Sequence, residues 1–450
     1  ELLPVAQPGR RWEVINAGGI SYASYRVAQL MEELVDYEPD LFVIYTGHNE
    51  FLEERSYGKL RDLPGPVKST VTLLARTRTW TALNSLTRRL RSAPEHKDDT
   101  RSLLPNEVQA KLDHSAGPAL FERDDALKEG ILTHYRFSLQ RMVQLAGSAD
   151  AGILFVSPAS NLKNCSPFKS QTTDGLGANE RKRVKELVAE ARRLMDTSRW
   201  NDALSPLEEA AAIDPRNAEI AYRRGTALLA LGRADEAAAT LTWARDEDVC
   251  PLRALSSMQA VVGEIARDTG AMLVDYPELL RRRVQSEQGH DIPGEDYFLD
   301  HVHPTIEGHR LLAVAIIEEL SDRGLLQMNT AWGEAAISTV ASRVENSLER
   351  TLHARALANL ALTLDWAGKK EESSRLAMRA LESGEEDPTI LMIAARHHAM
   401  AGRSAEALGL FRRAVKANPG NPVIHSQLGL LLAGRKELFA PGHRACGGCT

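Results

Sequence analysis

Cysteine is scarce in this chain, with 4 among 450 residues: Cys165, Cys250, Cys446 and Cys449. So few exclude a disulfide framework, and cysteine usage therefore leaves the redox compartment open. The tail run Cys446-Gly-Gly-Cys449, with His443 nearby, is half of a metal-site pattern without a second C-x-x-C, and reads as tail; no metal is expected. No apolar run reaches the roughly 18 residues that a membrane-crossing helix needs. No signal peptide is visible, and the first residue is Glu1 rather than Met, so the start reads as a cut. A basic stripe is missing too. The net charge is −6, and Arg88-Arg89, Arg181-Lys182-Arg183 and Arg281-Arg282-Arg283 all lie in helix-like text, where they read as solvated helix faces. Nucleic acid is therefore not an expected partner.

What is present is an ordinary globular composition, 43% hydrophobic and 26% charged. The length suggests about three domains. Short apolar runs alternate with helical text. "WEVINAG" (12–18), "DLFVIYTG" (40–47), "GILFVSPAS" (152–160) and "AMLVDYP" (271–277) read as buried strands. "SYRVAQLMEELVDY" (24–37) reads as an amphipathic helix carrying Val27, Leu30, Met31, Leu34 and Val35. This rhythm predicts a parallel sheet covered by helices on both faces, with functional residues at the carboxyl ends of its strands. A proline-containing insert, 52–147, separates the second and third strands, and part of it is a candidate lid or partner surface.

Internal repeats are the clearest architectural signal. Ala203 and Ala237, Leu207 and Leu241, and Ala210 and Ala244 are each 34 residues apart. Gly225 occupies a small-residue position before the second unit. Ala361, Ala395 and Gly429 repeat the same spacing, as do Ala380 and Ala414. Pro215 and Pro419 stand where second helices should end. Small residues let paired helices approach, and large ones fill the groove between units. This pattern resembles tetratricopeptide repeats. The resemblance implies an inserted array over 184–248, an appended array over 345–436, and a protein or peptide partner for them.

Two polar patches interrupt the apolar text: Gly47-His48-Asn49-Glu50 after the second strand, and Asp300-His301-Val302-His303-Pro304 far downstream. An acid three residues before a histidine can reach the imidazole Nδ1 within a turn, which fixes the tautomer and frees Nε2 as a base. His301 is the rival imidazole. The plainer reading is a helix-capping Asp beside surface histidines. Asn49 at a strand end can donate to a developing oxyanion or can pin its own loop. Gly47 allows a sharp turn under either reading. Gly18 and Gly19 end a strand, where an exposed backbone N–H is another candidate donor.

Taken in order, "NAGGIS", "GHNE" and "FLDHVHPTIEGH" resemble the second, third and fourth blocks of the SGNH (GDSL-type) hydrolases. A bacterial subgroup of that family joins the domain to tetratricopeptide repeats. The resemblance implies an α/β, flavodoxin-like parallel sheet with the repeat helices inserted and appended. The hydrolase-like parts would span 1–183 and 249–325, and 437–450 would be a tail. By the same resemblance Asp300 and His303 are the catalytic acid and base. Asn49 and Gly19 form the oxyanion hole, with Ser21 as an alternative backbone donor, and Gly47, His48 and Glu50 support the loop. The implied activity is ester hydrolysis or O-acyl transfer on an ester-bearing substrate, without a cofactor.

The family's first block, with its nucleophilic serine on the first strand, has no counterpart in "ELLPVAQPGRR" (1–11). Ser21, Ser157 and Ser160 are weak substitutes, since none sits in a G-x-S-x-G elbow. The chain is therefore expected to be nearly inactive by itself, because loss of a triad serine costs about 10⁶ in kcat. The resemblance also implies a membrane anchor upstream and a location outside the cytoplasm. The competing expectation is a non-catalytic repeat scaffold built on a degenerate hydrolase domain.

Overall fold

A computed structural model describes residues 1–19, 21–52, 121–384 and 386–434. The candidate lid within the long insert falls largely outside these residues, as does the Cys446–Cys449 tail. In chain order the principal elements begin with α1 (Ser24–Leu34), β1 (Leu41–Tyr45), α2 (Asp125–Ser148) and β2 (Gly152–Val156). Four helices follow: α3 (Ala178–Asp196), α4 (Trp200–Ile213), α5 (Ala218–Ala230) and α6 (Ala234–Asp246). Then come α7 (Ser256–Thr269), β3 (Met272–Val274), α8 (Tyr276–Gln288), α9 (Ile306–Asp322) and α10 (Glu334–Ser347). The last five are α11 (Arg350–Trp366), α12 (Lys370–Glu382), α13 (Pro388–Met400), α14 (Ser404–Ala417) and α15 (Pro422–Gly434). None of the described helices is long and apolar enough to cross a membrane. The chain forms two compact units.

The first unit comprises Asn16–Pro158 and Cys250–Leu273. Among the described residues its sheet has three strands in the order β1-β2-β3. β1 and β2 are parallel, with Phe42 opposite Ile153 and Ile44 opposite Phe155. The period of two puts these four side chains on one face. There they are buried with Met31 of α1, Tyr135 and Leu139 of α2, and Met258 and Val262 of α7. The other face is not fully covered, since Val43 is 46% exposed. Part of the expected insert is thus a sheet-covering helix. Ile131, Tyr135, Leu139, Met142 and Ala146 make one apolar stripe on α2.

The fold departs from the sequence reading at residues 12–18, which form no strand. Val14 and Ile15 are exposed rather than buried. Strand-forming side chains yield a strand only where a neighbouring backbone supplies the ladder, and no described strand pairs with this stretch. Among the described residues the sheet therefore has three strands in sequence order, and the strand expected before β1 is not one of them.

The second unit comprises Glu1–Ile15, Ala159–Val249 and Val274–Thr450, and it is dominated by helices. Pairs α3–α4, α5–α6, α11–α12 and α13–α14 pack as hairpins, and α15 follows α14. The positions spaced by 34 residues are core except Gly429, which is half-buried. Ala203, Leu207, Ala210, Ala237, Leu241 and Ala244 are all buried, as are Ala361, Ala380, Ala395 and Ala414. At Gly225 a Cβ would lie 2.6 Å from Leu241 Cγ, so α5 and α6 approach too closely for any side chain there.

The turns inside the hairpins repeat as well. Ser198, Gly232, Gly368 and Gly402 all take positive φ, at 57°, 75°, 79° and 73°. The next N–H reaches back five residues each time: Arg199 to Leu194, Arg233 to Leu228, Lys369 to Leu364, and Arg403 to His398, at 2.8–2.9 Å. These are Schellman turns, and they close the last carbonyls of the first helix of each pair. Between hairpins, side-chain oxygens of Asn217, Asp387 and Asn421 cap α5, α13 and α15 by accepting backbone N–H bonds.

Ser198 stands in a left-handed conformation that its counterparts fill with glycine. Ser198→Gly is expected to raise stability by up to about 1 kcal/mol, read as a higher urea midpoint with an unchanged m-value. Gly225→Ala should lower it by about 1–3 kcal/mol, because overpacking against Leu241 outweighs the gain in helix propensity.

Candidate functional site

The candidate residues fall in both units. In the first unit, β1 ends at Tyr45 and the chain turns at Gly47, whose φ is +129°. A Cβ at Gly47 would sit 2.9 Å from the Tyr135 hydroxyl and 3.2 Å from Pro158 Cγ, so both conformation and space demand glycine. Tyr135 donates its hydroxyl to the Thr46 carbonyl at 3.1 Å. Burial, with the nearby Glu50 charge, holds the Tyr135 hydroxyl well above its ordinary pKa. His48 Nδ1 accepts the Ala254 N–H at 3.2 Å.

Glu50 is fully buried and accepts both the Ser24 N–H and the Ser24 hydroxyl at 2.8 Å. A carboxylate placed on the first turn of α1 serves as that helix's cap and meets its positive end. Asn49 donates Nδ2 to the Tyr22 carbonyl at 3.3 Å, so its amide pins the α1 entry loop. Gly19 lies under the Tyr22 ring, where a Cβ would come within 2.3 Å of it. Ser21 is exposed and has a positive φ of 58°, and Ile20 between them lies outside the described residues. Gly47, His48, Asn49, Glu50 and Ser24 thus form one hydrogen-bonded corner that fixes β1 to α1 and α2.

In the second unit, Asp300 and His303 lie in the loop before α9. Leu299 N–H donates to the His303 carbonyl at 2.7 Å, and Thr305 N–H to Tyr297 at 2.9 Å, which folds the loop back on itself. Thr305 then caps α9 by accepting the Gly308 N–H. Inside this loop the Asp300 side chain is 2% exposed. Its Oδ1 accepts the N–H groups of Val302 and His303, each at 2.8 Å. Its Oδ2 lies 2.7 Å from His303 Nδ1. An ionised carboxylate only accepts, so Nδ1 carries the proton and Nε2 presents its lone pair. The His303 side chain is 59% exposed, and Nε2 has no hydrogen-bond partner among the described residues. His301 Nδ1 stands farther from the same oxygen, at 3.5 Å. The carboxylate therefore orients His303.

The electrostatics follow from this geometry. Burial would raise the Asp300 pKa, but His301, His303 and the hydrogen bonds to the carboxylate outweigh it and hold the carboxyl well below its ordinary range. Desolvation would lower the His303 pKa, but the Asp300 hydrogen bond and charge outweigh it and raise the imidazole. A base of this kind, oriented by an acid and open at Nε2, can take a proton from a hydroxyl or a water.

Ser160 is buried, and its Oγ has no hydrogen-bond partner among the described residues, so it does not engage His303. One contributor carries no sequence signal of its own. Asn161 donates Nδ2 to the Asp300 carbonyl at 3.1 Å and its N–H to the His301 carbonyl at 3.0 Å. It lies 139 residues upstream of Asp300, and only the fold brings the two together.

Asp300→Asn should drop the His303 titration midpoint toward the ordinary imidazole value of about 6.5, as read by ring-carbon NMR. The paired charges also set a pH window. The Asp300 contribution is present above its unfolded pKa of about 3.9 and is lost as pH falls through its depressed folded value. The His303 contribution is present below about 6.5 and is lost as pH rises through its raised folded value. His303→Ala should therefore differ most from wild type in urea midpoint near pH 5, and least near pH 9.

Comparison with known proteins bears on the helices. A tetratricopeptide repeat family model matches residues 194–251, and a second matches residues 358–422. Among solved structures, the chain is similar to TTC0263, a thermophilic TPR protein of Thermus thermophilus. The identity is 15%, covering 56% of this chain and 99% of that one, with a TM-score of 0.16. It is also similar to YrrB, a TPR protein with an unusual peptide-binding site, at 14% identity over 57% and 97% of the two chains (TM-score 0.17). A third is the TPR2AB domain–pHSP90 complex of yeast Sti1, at 13% identity over 56% and 84% (TM-score 0.17). No curated protein matches. The chain carries tetratricopeptide repeats in two places, within its inserted and its appended helices.

Proposed function

We propose that this chain is an interaction scaffold whose tetratricopeptide repeats hold a protein or peptide partner. The observation that carries this reading is the agreement between the family matches at 194–251 and 358–422 and the helix hairpins built there on small, buried residues. Stacked hairpins of this kind offer extended surfaces for peptides or partner helices. Hydrogen exchange with a partner recovered by crosslinking in the native host tests it. Protection is expected in α3–α6 or α11–α15. Protection confined to α1, α2 and α7 would overturn the reading.

A second reading is favoured by one specific observation, the 2.7 Å contact between buried Asp300 and His303. On that reading the intact protein is a serine-type ester hydrolase or O-acyltransferase of the SGNH class. Segments 1–183 and 249–325 form its catalytic part, with the repeats inserted at 184–248 and appended at 345–436. His303 takes the proton of a serine hydroxyl as it attacks an ester carbonyl, and Asp300 stabilises the imidazolium. The test is hydrolysis of a short-chain aryl ester by the natural full-length protein. His303→Ala is expected to cut kcat by about 10³-fold or more, the scale of losing a triad base. An unchanged rate in His303→Ala, or no turnover and no acyl transfer in the wild type, removes the enzymatic reading and leaves the scaffold.

A further inference from the structure

Residues 161–173 leave β2 without forming helix or strand, yet most of this segment is buried or half-buried. Its backbone polar groups need partners. Both repeat arrays supply them. From the inserted array, Asp214 accepts the Thr173 N–H at 2.9 Å, and Tyr222 donates to the Lys163 carbonyl at 3.1 Å. At the end of that array, Asp248 accepts the N–H groups of Phe168 and Lys169, at 2.7 and 2.9 Å. From the appended array, Arg375 donates to the Asn164 carbonyl at 2.7 Å, and Glu372 accepts the Ser166 N–H at 3.2 Å and its hydroxyl at 3.0 Å.

Lys369 stands out among these groups. It occupies the turn position that Arg199, Arg233 and Arg403 hold in the other hairpins, where all three are exposed. Lys369 alone of the four is buried, at 6% exposure. Its Nζ donates to the Ser166 carbonyl at 2.6 Å, to the Ser166 hydroxyl at 2.8 Å, and to the Pro167 carbonyl. It also lies 4.7 Å from the Phe168 ring centroid. A buried ammonium is tolerated only when its protons are matched, and here three oxygens and an aromatic face match it. The Phe168 ring in turn meets the His301 ring edge to face at 5.0 Å. The His301 ring lies 6.2 Å from that of His303, and His301 shares Asp300 Oδ2 with it.

We infer that the appended repeats brace the acid–base pair: Lys369 is a positioning residue that acts on Asp300 and His303 through Phe168 and His301. The inference rests on reading that pair as the chemical site, and it adds a means by which the state of the appended helices sets the order of the site. Lys369→Met keeps an unbranched apolar stem but removes the ammonium and leaves the Ser166 and Pro167 carbonyls unmatched. Phe168 then loses its support, His301 gains freedom, and the Asp300–His303 contact loosens.

Ring-carbon NMR titration of the full chain tests this coupling. The signals of His301 and of His309, the other imidazole in electrostatic range of His303, are followed separately. Lys369→Met and Phe168→Leu are each expected to lower the His303 midpoint by about 0.5 pH unit, as weakening of a charge partner does. Lys370→Met, one residue on and exposed, should leave it unmoved. A His303 midpoint unmoved in folded Lys369→Met overturns the proposal, even if Phe168→Leu shifts it. Should Lys369→Met fail to fold, Glu372→Ala releases the Ser166 N–H and hydroxyl from the same helix end and is judged by the same two outcomes. The titration needs no substrate. Absence of ester turnover would therefore remove the hydrolase reading without touching this result, and an unmoved midpoint in an active protein would remove only the coupling.

Discussion

The second unit depends on satisfying one irregular stretch of backbone. Residues 161–173 have no ladder or helix to absorb their N–H and carbonyl groups, and burial makes each unmet group costly. Asp214, Asp248, Glu372, Arg375 and Lys369 provide the partners from helices, helix ends and a turn far apart in sequence. The same stretch begins with Asn161, which holds the Asp300 loop by two hydrogen bonds. Two repeat arrays and one acid–base pair therefore converge on a single segment. That convergence accounts for charged side chains being buried there, since each one is matched by fixed backbone or hydroxyl groups.

The repeats and the acid–base loop illustrate two kinds of legibility. The 34-residue spacing could be read because each hairpin solves the same packing problem with the same small residues. Gly225 is needed where Leu241 crosses, and Ala203, Ala237, Ala380 and Ala414 are core in every copy. The Asp300–His303 pair could be read because a spacing of three within a turn suffices to bring a carboxylate to Nδ1. Both signals are local, so no long-range contact had to be guessed.

The remainder was hidden for physical reasons. Residues 12–18 carry strand-forming side chains, but a strand exists only by pairing, and Val14 and Ile15 stand exposed without it. The segment 125–148 looked like part of an irregular insert, yet it is one helix whose apolar stripe covers the sheet. The partners of Asn49 and Glu50 lie in another segment, where their bonds to Tyr22 and Ser24 tie a strand end to a helix start. Lys369 looks like one more solvated turn cation, and nothing in its neighbours marks it as buried.

The sequence by itself determined the helix hairpins, their caps and turns, and the acid–histidine pairing, because each is set by interactions spanning a few residues or one repeat. Only the tertiary structure decided which strand-like run pairs, which turn lysine faces inward, and which asparagine holds the Asp300 loop. Those outcomes depend on what lies across the contact, and separations such as the 139 residues from Asn161 to Asp300 leave no periodic trace along the chain.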